Sequence, residues 1–400
     1  MDNNRPIIPQ SEFRARTERL RKEMLARKLD ALFVYGDEYR KENLRYVSNY
    51  WPIFERGGFL LGKGGDGIVL CAPEGEQVAK EMSAWPDVRL VPDFLCVTVP
   101  DEIDYPLAQY TSFSKLAEEL KAQGPLERLG VVGLDAMSMG LAENIRAAFA
   151  CEIVDANDVL IHLRKTKSPN ELACIREAAR IADEGMKAIM TADIIGLTEL
   201  AACAIAESAA RREGGEQIIF TVFGSGKRTN TIVGRPTEKI IEDGDMIMLA
   251  LAVQYQGYVA TCEAPFAVGN YSAETRRVID TLIHASAAGL PYLKAGEPMK
   301  HFVRAVRDHF RKVGLSEYDV YPPLHGIGCA EAESPYPDEN TDAVFEKGMT
   351  CNTDISLFGL PGGSNRIEEG FVITENGAET FSPFVRAYCE SWMKNGGEGK

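Results

Sequence analysis

Residues 244–269, GDMIMLALAVQYQGYVATCEAPFAVG, narrow the folds open to this chain more than any other stretch. The apolar run from Met246 to Tyr255 and the segment that follows Gln256 read as two strands of one pair. Side chains alternate along a strand, so Thr261 and Glu263 share a face while Cys262 points to the other. No apolar run in the chain approaches the roughly 20 residues with which a helix spans a bilayer.

Four hundred residues exceed what one hydrophobic core usually serves, and the pattern divides accordingly. Helical spacing at 11–28, 112–122 and 140–149 alternates with strand patterns at 31–35, 88–91, 129–133 and 152–154. Residues 58–61 and 68–71, separated by KGGDG, read as a hairpin. The boundary is expected near 164–168. There Ser168 is a candidate N-cap, Pro169 takes the first helical position, and Glu171 completes a capping-box spacing. Beyond it, helices are expected at 198–213, 273–293 and 299–313, interleaved with strands at 218–223, 246–255, 257–260, 349–358 and 370–373. The final NGGEGK reads as a loose tail.

A formal net charge of −15 argues against nucleic acid or an anionic membrane as partner. The nine cysteines are scattered and include no C-x-x-C pair, so neither a zinc knuckle nor a disulfide framework is expected. The N-terminus lacks the basic start and apolar core of a signal peptide, and a cytoplasmic location is the expectation.

Five blocks occur in a recognisable order: LRKTKSPNELACIREA, an EDGD turn followed by a strand and QGY, then HGIG, KGM and RIEEGFVITENGAE. The second half thereby resembles the "pita-bread" domain of the creatinase, aminopeptidase P and methionine aminopeptidase family. The first half resembles the creatinase/prolidase N-terminal domain. The resemblance implies an α/β two-domain fold, with a creatinase/prolidase-type α/β domain over 1–163 and an α+β pita-bread domain over 164–400. It also implies a homodimer with sites near the subunit boundary.

The five metal-ligand positions of that family fall here on Ala250, Thr261, His325, Asp354 and Glu368. Alanine has no donor atom, and a threonine hydroxyl substitutes poorly for a bridging carboxylate. A dinuclear centre is therefore not expected to assemble, and no metal or other cofactor is expected. The two further histidines of the family fall on Val233 and Ala332, although Glu333 and Pro335 keep the flanks of the second. Creatinase is the family member that works without metal. Its catalytic glutamate corresponds to Glu263, and its Phe-x-Arg pair, which covers the neighbouring subunit's site, corresponds to Phe54 and Arg56.

These residues lead to a specific expectation. Glu263, Asp354 and Glu368 converge with no cation between them, and the cationic part of a small substrate fills the gap; the alternative for Glu368 is a pair with Arg366 or another base. His325, Glu263 and Glu368 are the catalytic candidates; Asp354, Phe54, Arg56 and Glu333 are the substrate-binding candidates. Glu331 or Glu333 could add to a cation site, with a solvated loop the plainer reading for Glu331. The expected activity is metal-independent hydrolysis of a C–N bond in a small, cationic, non-peptide nitrogen compound. The alternatives are a non-catalytic binding protein of the same fold, an Xaa-Pro peptidase with an altered metal site, and a lyase on a similar substrate.

Overall fold

Ser168 begins the second half of the chain as its sequence spacing requires. Its hydroxyl accepts from the Glu171 amide, and the Glu171 carboxylate accepts in return from the Ser168 amide at 2.9 Å. The computed structural model describes residues 5–95 and 110–396. Cys96 and residues 397–400 of the C-terminal tail lie outside the described residues. Two compact units result: Ile8–Arg164, and Lys165–Lys400 joined by Met1–Ile7.

The N-terminal unit runs α1 (Gln10–Ala26), β1 (Ala31–Asp37), α2 (Glu42–Ser48), β2 (Arg56–Gly62), β3 (Ile68–Cys71), α3 (Glu76–Met82) and β4 (Val88–Leu90). It continues through α4 (Phe113–Gln123), β5 (Arg128–Val132), α5 (Met139–Phe149), β6 (Glu152–Asp155) and α6 (Asn157–Arg164). Its strands form one mixed sheet in the order β4-β3-β2-β1-β5-β6. The expected hairpin is the antiparallel pair β2 and β3, with Phe59 opposite Val69. Phe33, Phe94, Phe113, Leu129, Val131 and Phe149 are buried in its core.

The C-terminal unit contains α7 (Pro169–Thr191), α8 (Glu199–Arg212), β7 (Gln217–Ser225), β8 (Met246–Tyr255), β9 (Tyr258–Glu263), β10 (Phe266–Ala267), α9 (Ala273–Gly289) and α10 (Met299–Val313). It ends with β11 (Leu324–Gly326), β12 (Thr350–Leu357), β13 (Asn365–Ile373), β14 (Ala378–Thr380) and α11 (Pro383–Lys394). Among the described residues these strands form an antiparallel sheet ordered β10-β8-β9-β13-β12-β11, with β7 on β8 and β14 on β13. Helix α7 packs on β8 and β9, and α9 packs on β12 and β13. Gly185 of α7 allows the close approach: a Cβ there would lie 2.4 Å from Leu251 Cδ2 and 2.9 Å from the Ala206 carbonyl oxygen. Leu251 and its cross-strand partner Cys262 thus face the helix. The alternate positions Ala250 and Glu263 face the other way.

Candidate active site

Cross-strand register assembles the site. Residues directly opposite each other in an antiparallel sheet share a face. Val222 pairs with Ala250, Ala250 with Glu263, Glu263 with Glu368, and Glu368 with Asp354. One row across five strands therefore carries two apolar residues and then three carboxylates. Arg366 stands two residues before Glu368 on β13, and so shares its face. His325 on β11 pairs with Asn352, two residues before Asp354.

The expectation that these carboxylates lack a cation is corrected by Arg366. Its Nε donates to Glu263 Oε2 at 2.8 Å and lies 3.0 Å from Glu368 Oε1, and its Nη1 lies 3.5 Å from Asp354 Oδ1. All four side chains are buried. Desolvation pushes the Glu263 carboxyl up to about 7, and Arg366 pulls against it. Burial raises Glu368 and Asp354 as well, opposed by Arg366 and reinforced by the neighbouring carboxylates. Burial alone would lower the guanidinium, but the surrounding carboxylates hold it well above its ordinary value. Glu263 Oε1 is buried without a hydrogen-bond partner.

Glu368 also belongs to a second group, in which Glu331 takes the cation-site place that the sequence left open beside its solvated reading. His325, Glu331 and Glu368 offer donor atoms that all lie within 4.8 Å of one another. His325 Nδ1 is 2.9 Å from the Gly326 carbonyl oxygen. That oxygen only accepts, so Nδ1 carries the proton there. His325 Nε2 then faces Glu331 Oε1 at 3.9 Å, too long for a hydrogen bond. Glu331 Oε1 accepts from the Thr261 hydroxyl at 3.0 Å, and Glu368 Oε2 accepts from Asn352 Nδ2 at 2.9 Å. The expectation of a solvated Glu331 is thus also corrected. Its loop folds back over the sheet, which brings the carboxylate to the position of Thr261.

His325, Glu331, Asp354, Arg366 and Glu368 open on a cavity of about 1080 Å³. Phe220, Val222, Val233, Tyr321, Pro322 and Tyr336 supply apolar and aromatic wall, and Arg235 supplies a guanidinium. Glu263, expected as a catalytic group, does not line this cavity; it lies behind Arg366 as an anchor. Glu333, expected to bind substrate, pairs instead with Lys167 Nζ at 2.6 Å, and both side chains are buried or nearly so. That pair braces the turn in which Gly326 and Glu333 exchange backbone hydrogen bonds. Phe54 and Arg56 belong to the N-terminal unit. Phe54 is exposed with φ 63°, and Arg56 opens β2 opposite Asp37.

The profile of Metallopeptidase family M24 matches residues 173–375, and that of the Creatinase/Prolidase N-terminal domain matches residues 16–166. An uncharacterized peptidase, YqhT, of Bacillus subtilis is 30% identical over 259 residues, covering 64% of this chain and 73% of that protein. The Xaa-Pro dipeptidase of Pyrococcus furiosus is 26% identical over 374 residues, covering 93% of this chain and 98% of that protein. In structure, an Xaa-Pro dipeptidase from Bacillus anthracis superposes with a TM-score of 0.78 at 23% identity, covering 92% of this chain and 97% of that one.

These likenesses overturn the expected metal-independent hydrolysis of a non-peptide cation, since the relatives carry the names of peptidases and dipeptidases. The physical reason agrees: the gap assigned to a substrate cation already holds the Arg366 guanidinium. A metallopeptidase description implies metal, and the two-ion arrangement does not fit these residues. Ala250 packs with Val222, Met248 and Phe358 in an apolar cluster, and Thr261 offers only a hydroxyl already donated to Glu331. Both domains are nonetheless matched over most of their lengths, and the chain belongs to metallopeptidase family M24, with a creatinase/prolidase-type N-terminal domain preceding a pita-bread domain.

Proposed function

We propose that this protein is a cytoplasmic peptidase of the Xaa-Pro dipeptidase type, acting on dipeptides or short peptides with a metal site rebuilt relative to its family. The cavity carries this reading, because its chemistry is polarised as a small zwitterion requires. Acidic groups line its floor, aromatic and aliphatic side chains line its walls, and Arg235 offers a positive group. The ammonium of a dipeptide is drawn to Glu331, which is not among the three carboxylates that Arg366 holds. Its C-terminal carboxylate is drawn to Arg235, which can bind it in bidentate fashion. A proline ring or apolar side chain fits among Phe220, Val222, Tyr321 and Pro322.

On this reading His325 and Glu331 hold and orient a water or a proton at the peptide carbonyl. His325, Glu331 and Glu368 would hold a divalent ion, which would supply Lewis-acid polarisation of the carbonyl or its water. The eight described cysteines are free thiols, which suits a reducing compartment. Among the described residues, no helix is long and apolar enough to cross a membrane.

The test is proline release from a panel of Xaa-Pro dipeptides by protein supplied with Mn2+, Co2+ or Zn2+, compared with Arg235→Ala. Cleavage is expected, with a raised KM in the variant for free dipeptides and no change for their C-terminal amides. Absence of cleavage, together with no thermal stabilisation by any dipeptide, would refute the reading.

A further inference from the structure

We infer that the Tyr321 hydroxyl donates a hydrogen bond to the substrate's carbonyl oxygen and stabilises the negative charge that gathers there as water attacks. This deepens the peptidase reading and rests on it, adding a catalytic residue that no sequence motif singled out.

Hydrolysis of a peptide bond is helped most by a donor fixed at the oxygen that becomes anionic. Six side chains lining the cavity carry an N–H or O–H: Thr221, Arg235, Tyr321, His325, Tyr336 and Arg366. Thr221 gives its hydroxyl to Glu207 Oε1 at 2.6 Å. His325 gives its Nδ1 proton to the Gly326 carbonyl oxygen, which leaves Nε2 as an acceptor. Arg366 is taken by Glu263, Glu368 and Asp354. Arg235 is exposed and serves the substrate carboxylate, and Tyr336 is 59% exposed. Val233 and Ala332, where the family carries its two further histidines, line the same cavity and present only carbon. Tyr321 is left, half-buried and with no hydrogen bond among the described residues.

Its position matches that task. Arg366 Cζ lies 6.0 Å from the centre of the Tyr321 ring, and the phenol feels the charges of Asp354, Arg366, Glu368 and Glu331. The hydroxyl therefore belongs to the acidic floor of the cavity. The backbone also holds it still. Tyr321 precedes Pro322 and Pro323, whose rings fix φ and restrict the residue before them. The Pro323 carbonyl oxygen accepts from the Asp354 amide at 2.9 Å, and β11, which carries His325, begins at the next residue. A donor fixed before charge develops stabilises it more than one that must first turn toward it.

The step balances without any change in the tyrosine. The water oxygen bonds to the carbonyl carbon, and the carbonyl π pair moves onto the carbonyl oxygen. The Tyr321 O–H strengthens its hydrogen bond to that oxygen and keeps its proton. When the oxygen's pair re-forms the double bond, the C–N bond breaks and the leaving nitrogen takes the proton that water gave up. One water is consumed, and no oxidant or reductant enters.

The experiment compares wild type with Tyr321→Phe, which removes one oxygen and keeps the ring, on Xaa-Pro dipeptides under the same Mn2+ supply. Circular dichroism and Tm report whether the variant is folded. A fall in kcat of about a hundred- to a thousandfold is expected, the usual cost of one such donor. KM should stay unchanged, because the bond strengthens only as charge develops. Calorimetric titration with a phosphinic-acid analogue of the dipeptide gives a readout besides turnover. Its affinity for the variant should fall by about ten- to a hundredfold, as for a lost hydrogen bond to a charged group. Cleavage by wild type with kcat of a folded Tyr321→Phe within about tenfold of it would overturn the inference and leave the peptidase reading standing. Equal affinity of both proteins for the analogue, or a loss confined to KM, would overturn it in the same way. A wild-type protein that cleaves none of the peptides would remove both.

Discussion

Replacing Arg366 with methionine keeps an unbranched apolar stem out to about the Nε position and removes the charge that Glu263, Glu368 and Asp354 share. The two shortest contacts, 2.8 and 3.0 Å, are each worth about 6 kcal/mol of Coulomb attraction at an effective dielectric constant near 20. Much of that offsets the cost of taking these ions out of water. Breaking such a buried pair from one side typically costs about 3–5 kcal/mol, because the surviving charges stay buried and unpaired. Arg366→Met is therefore expected to destabilise the protein by about 3–5 kcal/mol near pH 8.

The sign of the pH dependence follows from the carboxylates. Burial already raises their folded-state values, to about 7 for Glu263, and losing Arg366 removes the interaction that opposes the rise. A carboxyl whose folded value lies above its unfolded value loses stability as pH rises through that window. The deficit of Arg366→Met should accordingly shrink toward pH 5, where the carboxyls protonate in the fold. Urea denaturation and scanning calorimetry at both pH values, with chelator present, measure this. A deficit below about 1 kcal/mol, or one of equal size at both pH values, would refute an essential countercharge role.

Two further outcomes test the framework around the site. Glu55 is buried in the N-terminal unit, and burial pushes its carboxyl up to about 7. Wild-type stability should fall as pH rises from about 4.5 to about 7, and Glu55→Gln should remove up to about 3 kcal/mol of that loss. A stability difference between the two proteins that is the same near pH 5 and pH 8 would count against it. Gly185→Ala places a Cβ against Leu251 and the Ala206 carbonyl. Overpacking of about 1–3 kcal/mol should outweigh the gain of about 1 kcal/mol in helix propensity, and a higher Tm would contradict this.

Long periodic elements were legible in the chain because their patterns repeat over several turns or alternations. Met246–Tyr255 and Met299–Val313 stand where apolar spacing puts them, and the capping box at Ser168 forms as its spacing demands. The seven-residue helices Glu42–Ser48 and Glu76–Met82 were not legible, since two turns show no dependable period. The terminal helix Pro383–Lys394 was missed as well.

Sequence by itself determined which side chains share a face: Thr261 with Glu263 on one strand, Arg366 with Glu368 on another. It also determined that Ala250 could never ligate a metal. Only the tertiary structure decided what those faces meet. Strand register set Glu263 opposite Glu368 and Glu368 opposite Asp354, which gave Arg366 three partners at once. The path of a loop carried Glu331 to Thr261 and His325, a meeting of residues 70 positions apart that no local period encodes. A strand's alternation fixes direction, but its neighbours are chosen by pairing energies summed over the whole sheet.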